Sequence, residues 1–261
     1  MLKDMKTAVF LSILIASIAP GQTPKATATW ITSKTSNTAG PIQTVIHMKI
    51  SDGWHTYWKN PGEGGIPLSI HVELPEHWTM DDIQYPAPKH FTTGELPSIG
   101  YEDDVLFPLT LHPPKGMRGN PPQIRATLSW LTCNDSSCVP GEANLTLSAT
   151  ADEALIRKAY DALPKPLAGA KLEFVADKKQ IRLVLRLPEN SEIKPPDYEV
   201  FPVTPDVVSA ASKLRFNAMD GQPNTWVASG KSSEYIDPKI QSVVIELFKS
   251  GGAAWSVSSS R

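Results

Sequence analysis

Proline does more than any other residue to limit what this chain can become. There are 24 prolines in 261 residues, several of them paired, as at Pro113-Pro114, Pro121-Pro122 and Pro195-Pro196. Each removes a backbone donor and fixes one dihedral, so long helices have little room. Between the prolines lie short runs of alternating apolar and polar residues. Residues 41–50 put Ile42, Ile46, Met48 and Ile50 on one face of a strand. Residues 53–58 put Trp54, Thr56 and Trp58 on one face and His55 and Tyr57 on the other. Residues 68–74 gather Leu68, Ile70, Val72 and Leu74, and the pattern continues through 105–111, 123–130 and 143–148. Period-two runs punctuated by Pro, Gly and Asp predict an all-β chain built as an antiparallel sandwich.

The alternation breaks once, at residues 151–163. Asp152 stands where an N-cap belongs, and Leu155, Ala159 and Leu163 recur at helical spacing. Pro164 and Pro166 then stop the helix. Strand-like runs resume at 171–175, 180–187, 213–216, 225–228 and 242–248. The expected organisation is a β domain over 25–150, a connecting helix and linker over 151–170, and a second, smaller β unit over 171–261. No internal repeat is evident.

The first residues read as an export signal. Lys3 and Lys6 precede an apolar run over 8–19, with small residues at Ala19 and Gly21 near a cleavage point. The run is short for a membrane span. Residues 1–21 are therefore expected to be a signal peptide, and the mature chain to be exported, soluble and able to keep a disulfide. A formal net charge of −2, with no basic stripe, argues against a nucleic-acid partner.

The two cysteines, Cys133 and Cys138, enclose a loop of six residues. A cross-link stabilises mainly by restricting the unfolded chain, and so short a loop contributes only about 2 kcal/mol, against about 4.7 for a 100-residue loop. As reinforcement this is a poor site. Thiol–disulfide exchange needs an accessible sulfur and a neighbouring thiol to resolve the mixed disulfide, and two cysteines on one turn supply both. The spacing is not Cys-x-x-Cys and no βαβ pattern surrounds it, so the chain is not itself a thioredoxin fold. Asp135 lies beside the pair and would raise a thiol pKa. Two thiolates fall short of a four-ligand zinc site, so no metal and no cofactor is expected. Spacing alone leaves both a structural staple and a redox pair open.

Several ordered blocks then carry a resemblance. Trp130-Leu-Thr-Cys-Asn-Asp-Ser-Ser-Cys-Val-Pro-Gly-Glu-Ala143 resembles the cysteine loop of the N-terminal periplasmic domain of the DsbD family of thiol:disulfide interchange proteins, with the related ScsB proteins. Gly53-Trp-His-Thr-Tyr-Trp-Lys-Asn-Pro-Gly-Glu-Gly-Gly-Ile-Pro67 is similar to the family's long aromatic block. Glu73-Leu-Pro75, Gln84-Tyr-Pro-Ala-Pro88, Gly100-Tyr-Glu102 and Leu106-Phe-Pro-Leu109 follow in the family's order. The likeness runs from about residue 29 to 147. It implies an immunoglobulin-like β-sandwich that shuttles electrons. Its donor would be a membrane electron-conduit protein of the DsbD/ScsB type, and its clients thioredoxin-fold periplasmic oxidoreductases. By the same resemblance Cys138 forms the intermolecular mixed disulfide, Cys133 resolves it, and residues 95–101 form a loop that caps the pair. Larger family members continue into a transmembrane conduit, so a soluble component fed by another polypeptide is expected here. Repair of copper-damaged disulfides would be one physiological use of such a reductant.

Competing readings are weaker. Trp54, His55, Tyr57 and Trp58 could line a ligand groove, but a Trp-rich strand more often builds core and sheet surface. His47, His55, His71, His77, His90 and His112 lack the close spacing of zinc motifs. The glycines over 60–65 have no Lys-Ser/Thr and no helix behind them, which fits a turn. The rival from another class is a noncatalytic immunoglobulin-like binding or assembly module whose disulfide is structural.

Overall fold

A computed structural model describes residues 23–33, 40–117, 122–147 and 151–259. The expected signal peptide lies outside the described residues. Ten strands come first: β1 (Ala26–Thr32), β2 (Ile42–Ile50), β3 (Thr56–Gly62), β4 (Ser69–Glu73), β5 (Thr79–Met80), β6 (Lys89–Thr93), β7 (Leu96–Tyr101), β8 (Asp104–His112), β9 (Arg125–Cys133) and β10 (Cys138–Thr146). They form three sheets in the orders β1-β2-β8-β5, β10-β9-β4 and β3-β7-β6. All the pairings within these sheets are antiparallel.

Period two decides how they pack. Ile42, Ile46, Met48 and Ile50 of β2 and Val105, Phe107, Leu109 and Leu111 of β8 face inward from the first sheet. Ala126, Leu128 and Trp130 of β9 meet them from the second, with Leu68 and Val72 beside β4. Burying each such large apolar side chain stabilises the fold by about 1.5–3 kcal/mol. The outer face of the first sheet is covered by α1 (Glu153–Asp161), which lays Ile156 and Ala159 on Val45 of β2. Asp152 caps this helix, its Oδ1 accepting from the Leu155 amide at 2.9 Å. The buried stripe is Ile156 and Ala159 rather than the expected Leu155, Ala159 and Leu163; the helix ends at Asp161, before Leu163, and Tyr160 beside the stripe lies 3.0 Å from the Thr110 hydroxyl.

The remaining strands are β11 (Lys165–Pro166), β12 (Lys171–Ala176), β13 (Gln180–Arg186), β14 (Glu199–Pro202), β15 (Asn217–Ala218), β16 (Thr225–Lys231), β17 (Val244–Phe248) and β18 (Trp255–Ser258). They make two sheets, β11-β18-β17-β14 and β12-β13-β16-β15. Leu172, Ile181, Leu183 and Leu185 close against Val200, Ile245, Leu247 and Val257 in a second core. The run at 213–216 is not a strand, since Leu214 makes only a single bridge, to Val200. Its apolar residues, Leu214 and Phe216, instead plug the core from a loop.

The two sandwiches share an interface. Phe201 of β14 and Phe248 of β17 belong to the first core, where Phe201 meets the Trp58 ring edge-on at 5.9 Å. Lys59 of β3 pairs with the buried Glu246 of β17 at 2.5 Å, and Asn60 Nδ2 donates to the Pro202 carbonyl at 2.8 Å. Burial pushes the Glu246 carboxyl up, and the Lys59 charge opposes this.

Candidate functional site

Alternation along β9 also settles which residues stay out of the core. Ala126, Leu128 and Trp130 point inward, so Leu131 and Cys133 belong to the opposite face. The strand does not stop with the alternating run at 130 but continues through Cys133, and β10 begins at Cys138. The cysteines are therefore paired strand termini, directly opposite in register, rather than turn residues. They are joined as a disulfide with the Cα atoms 4.0 Å apart. Pro140 is tolerated because β10 is the edge of its sheet.

The turn between them is self-supporting. Asn134 Oδ1 accepts from the amides of Ser136 (2.9 Å) and Ser137 (2.8 Å), and the Asn134 amide donates to the Ser137 carbonyl at 2.9 Å. These bonds form an Asx-type turn. The two cysteines differ sharply in access. Cys133 is 0 % exposed, whereas Cys138 is exposed.

On its other side β9 meets the chain entering β3. His55 and Cys133 exchange both backbone hydrogen bonds, at 2.9 and 3.0 Å. Partners so paired project their side chains to the same face. His55, Cys133 and Cys138 thus form a row across three neighbouring strands. Tyr57 follows His55 on that face, while Trp58 packs into the core and Thr56 Oγ1 donates to the Leu131 carbonyl at 3.0 Å. The faces expected for residues 53–58 are those observed.

The β6–β7 hairpin covers the His55 end of this row and leaves Cys138 exposed. Gly100 lets it approach closely, since a Cβ there would lie 1.9 Å from the Thr56 carbonyl oxygen. Phe91 packs on the His55 ring with centroids 4.1 Å apart. Thr93 Oγ1 lies 2.9 Å from His55 Nε2, 3.0 Å from the Tyr57 hydroxyl and 3.1 Å from Ser98 Oγ. The tip turns at Gly94, whose φ of +60° suits a two-residue hairpin loop. A Cβ on Gly94 would come 3.7 Å from the Asp135 carbonyl oxygen, so the tip reaches the cysteine turn. The segment over 95–101, expected as a loop, is mostly strand β7.

Burial holds the His55 imidazole below its ordinary pKa of 6.5, against the opposing fields of Glu102 and Asp135. Burial pushes the Tyr57 phenol up, and its bond to Thr93 partly offsets this. Among the described residues no cluster of three or more His, Cys, Asp or Glu could hold a metal ion. Phe91 and Thr93 are site residues without a signal in the sequence, whereas His55 and Tyr57 are candidate groove-lining residues that the sequence reads as core and sheet surface. The available signal was phase: His55, just before β3, and Tyr57, within it, alternate with the core-facing Trp58, yet are aromatic.

The first unit is thus an immunoglobulin-like sandwich with a disulfide at a sheet edge beside the β6–β7 hairpin. Residues 24–150, just under half of the chain, match the family described as thiol:disulfide interchange protein DsbD, N-terminal, which supports a domain of the DsbD/ScsB type in this segment. The fold is also that of the N-terminal periplasmic domain of ScsB from Proteus mirabilis, with a TM-score of 0.64 and 17 % identity over 90 % of this chain and 93 % of that one. No significant match is found among curated proteins. Among the described residues no helix is long and apolar enough to cross a membrane.

Proposed function

We propose that this protein is a periplasmic dithiol–disulfide electron carrier, exported by the signal peptide at 1–21, in which Cys133 and Cys138 are the exchanging pair. Electrons enter from a membrane electron-conduit protein of the DsbD/ScsB type and leave to thioredoxin-fold oxidoreductases. The redox domain spans 25–150, the helix and linker 151–170, and the second β domain 171–261.

The observation that carries this reading is the unequal access of the two sulfurs. Thiol–disulfide exchange proceeds by attack on one sulfur, with the other leaving and later returning. The exposed Cys138 suits contact with a partner, and the buried Cys133 suits the resolving role. The family match and the covering hairpin support the same division of labour.

The test is a trap. Cys133→Ala protein, with Cys138 reduced, is mixed with a purified, oxidised thioredoxin-fold oxidoreductase from the periplasm. A mixed disulfide that accumulates on Cys133→Ala but not on Cys138→Ala is the expected result. No adduct on either variant, or equal adducts on both, would contradict the assignment and favour a binding module with a structural disulfide.

A further inference from the structure

If the carrier reading holds, the resolving step needs a proton acceptor for Cys133. Only a thiolate attacks a disulfide, and apolar burial raises a thiol's pKa. Cys133 is fully buried, so water is poorly placed to take its proton. Its direct cross-strand partner is His55, fixed by the two backbone bonds of 2.9 and 3.0 Å. Side chains paired in this way hold their Cβ atoms about 4.5–5.5 Å apart on one face. His55 is itself only 5 % exposed, and its Nε2 is held by Thr93 at 2.9 Å under the Phe91 ring.

We infer that His55 is the proton acceptor of Cys133 when the mixed disulfide is resolved. Other groups face the ring from every packed element: Tyr57 from its own strand, Phe91, Thr93 and Ser98 from the hairpin, Glu102 from the β7–β8 turn, and Asp135 from the cysteine turn. The Tyr57 phenol is pushed up and stays protonated at neutral pH. Glu102 and Asp135 act on His55 only through their fields, which raise its pKa without outweighing burial. The ring is therefore neutral, and a base, at pH 7.

The step balances as follows. Cys138 thiolate attacks a client disulfide, forms an S–S bond to one client sulfur and releases the other as thiolate. His55 takes the Cys133 proton. The Cys133 thiolate attacks Cys138 Sγ, the bond to the client breaks, and the second client thiolate leaves. The imidazolium returns its proton to the released thiolate or to water. Two electrons have passed to the client, and the carrier is again a disulfide.

Stopped-flow reaction of the reduced full-length protein with one equivalent of a dipyridyl disulfide separates these events. The first thiopyridone release reads attack by Cys138, and the second reads closure by Cys133. In the wild type the closure rate should rise with pH through the lowered histidine pKa, below 6.5, and then level off. In His55→Gln closure should be slower by about a hundredfold or more at neutral pH, the low end of general-base effects. It should also keep rising with the Cys133 thiolate fraction instead of levelling, while the first release is unchanged. Superimposable closure profiles for the two proteins would overturn the proposal. So would a wild-type profile with no levelling, a result that needs no variant to fold. Failure of the carrier reading looks different: closure on the probe would stay normal while no thioredoxin-fold client is trapped.

Discussion

The two sandwiches obey one packing rule and put their buried polar groups to different use. In the first, the outer face of the β9 sheet is roofed by the β6–β7 hairpin, and His55, Ser98 and Cys133 lie buried between them. In the second, the only buried charged side chain among the described residues is Glu246, and it points at Lys59 across the interface. A buried polar group needs a partner. In the first unit the His55 ring finds its side-chain partner within that unit, in Thr93, which in turn meets Ser98. The second finds one in its neighbour, which makes that charge a docking element.

The sharpest way to break this comparison is the cysteine pair. Cys138→Ala should abolish exchange with thiol probes under native conditions, whereas Cys133→Ala should retain the first attack and lose closure, as read by thiol trapping and mass spectrometry. Equal behaviour would remove the asymmetry on which the first unit's role depends.

A matched pair of core truncations is next in size. Leu128→Ala and Leu183→Ala each empty a fully buried site and should cost about 2–5 kcal/mol in urea unfolding. Leu183→Ala should leave the reduction potential of the pair unchanged. A potential that moved with Leu183 would mean that the second core is part of the redox machinery.

Gly100→Ala probes the roof. Its added Cβ meets backbone at 1.9 Å and must push β7 off β3. A loss of about 1–3 kcal/mol is expected from such overpacking, together with faster reduction of the disulfide by a small dithiol. Unchanged reduction kinetics would show that the hairpin does not govern access.

The smallest expected effect is the pH dependence of the interface. Burial raises the folded pKa of Glu246 above its unfolded value. Its protonated form is therefore favoured by folding, and that contribution is full below the unfolded pKa and fades as pH rises through the raised one. Glu246→Gln removes this titration, so its stability relative to wild type should increase as pH climbs from the acid range towards neutrality. A constant difference would mean that Lys59 fully compensates the buried charge.

Much of this was legible in the residues. The alternation in 41–50, 68–74 and 180–187 places the core side chains correctly, because each sheet packs one face and period two is then enforced. The cysteines and their surrounding blocks identified the family. What could not be read was which strands lie beside which. Nothing in the spacing of His55 and Cys133, 78 positions apart, announces that they share two backbone bonds. The hairpin at 89–101 was hidden because Pro97 and Gly100 resemble loop residues. Pro97 sits in a strand that contributes little of the core, and Gly100 is there for close approach to Thr56. Strand β14 was obscured by Pro202 at its end, and 213–216 mimicked a strand because a core-plugging loop can also alternate.

The most direct measurement is the reduction potential of the Cys133–Cys138 pair in the folded protein, by equilibration in thiol redox buffers and trapping of free thiols. A reversible two-electron titration with a midpoint of about −200 to −270 mV, in the range of thioredoxin-like proteins, is the predicted result. A midpoint below about −300 mV, or a pair that is reduced only when the protein unfolds, would contradict electron transfer and leave a stapled binding domain.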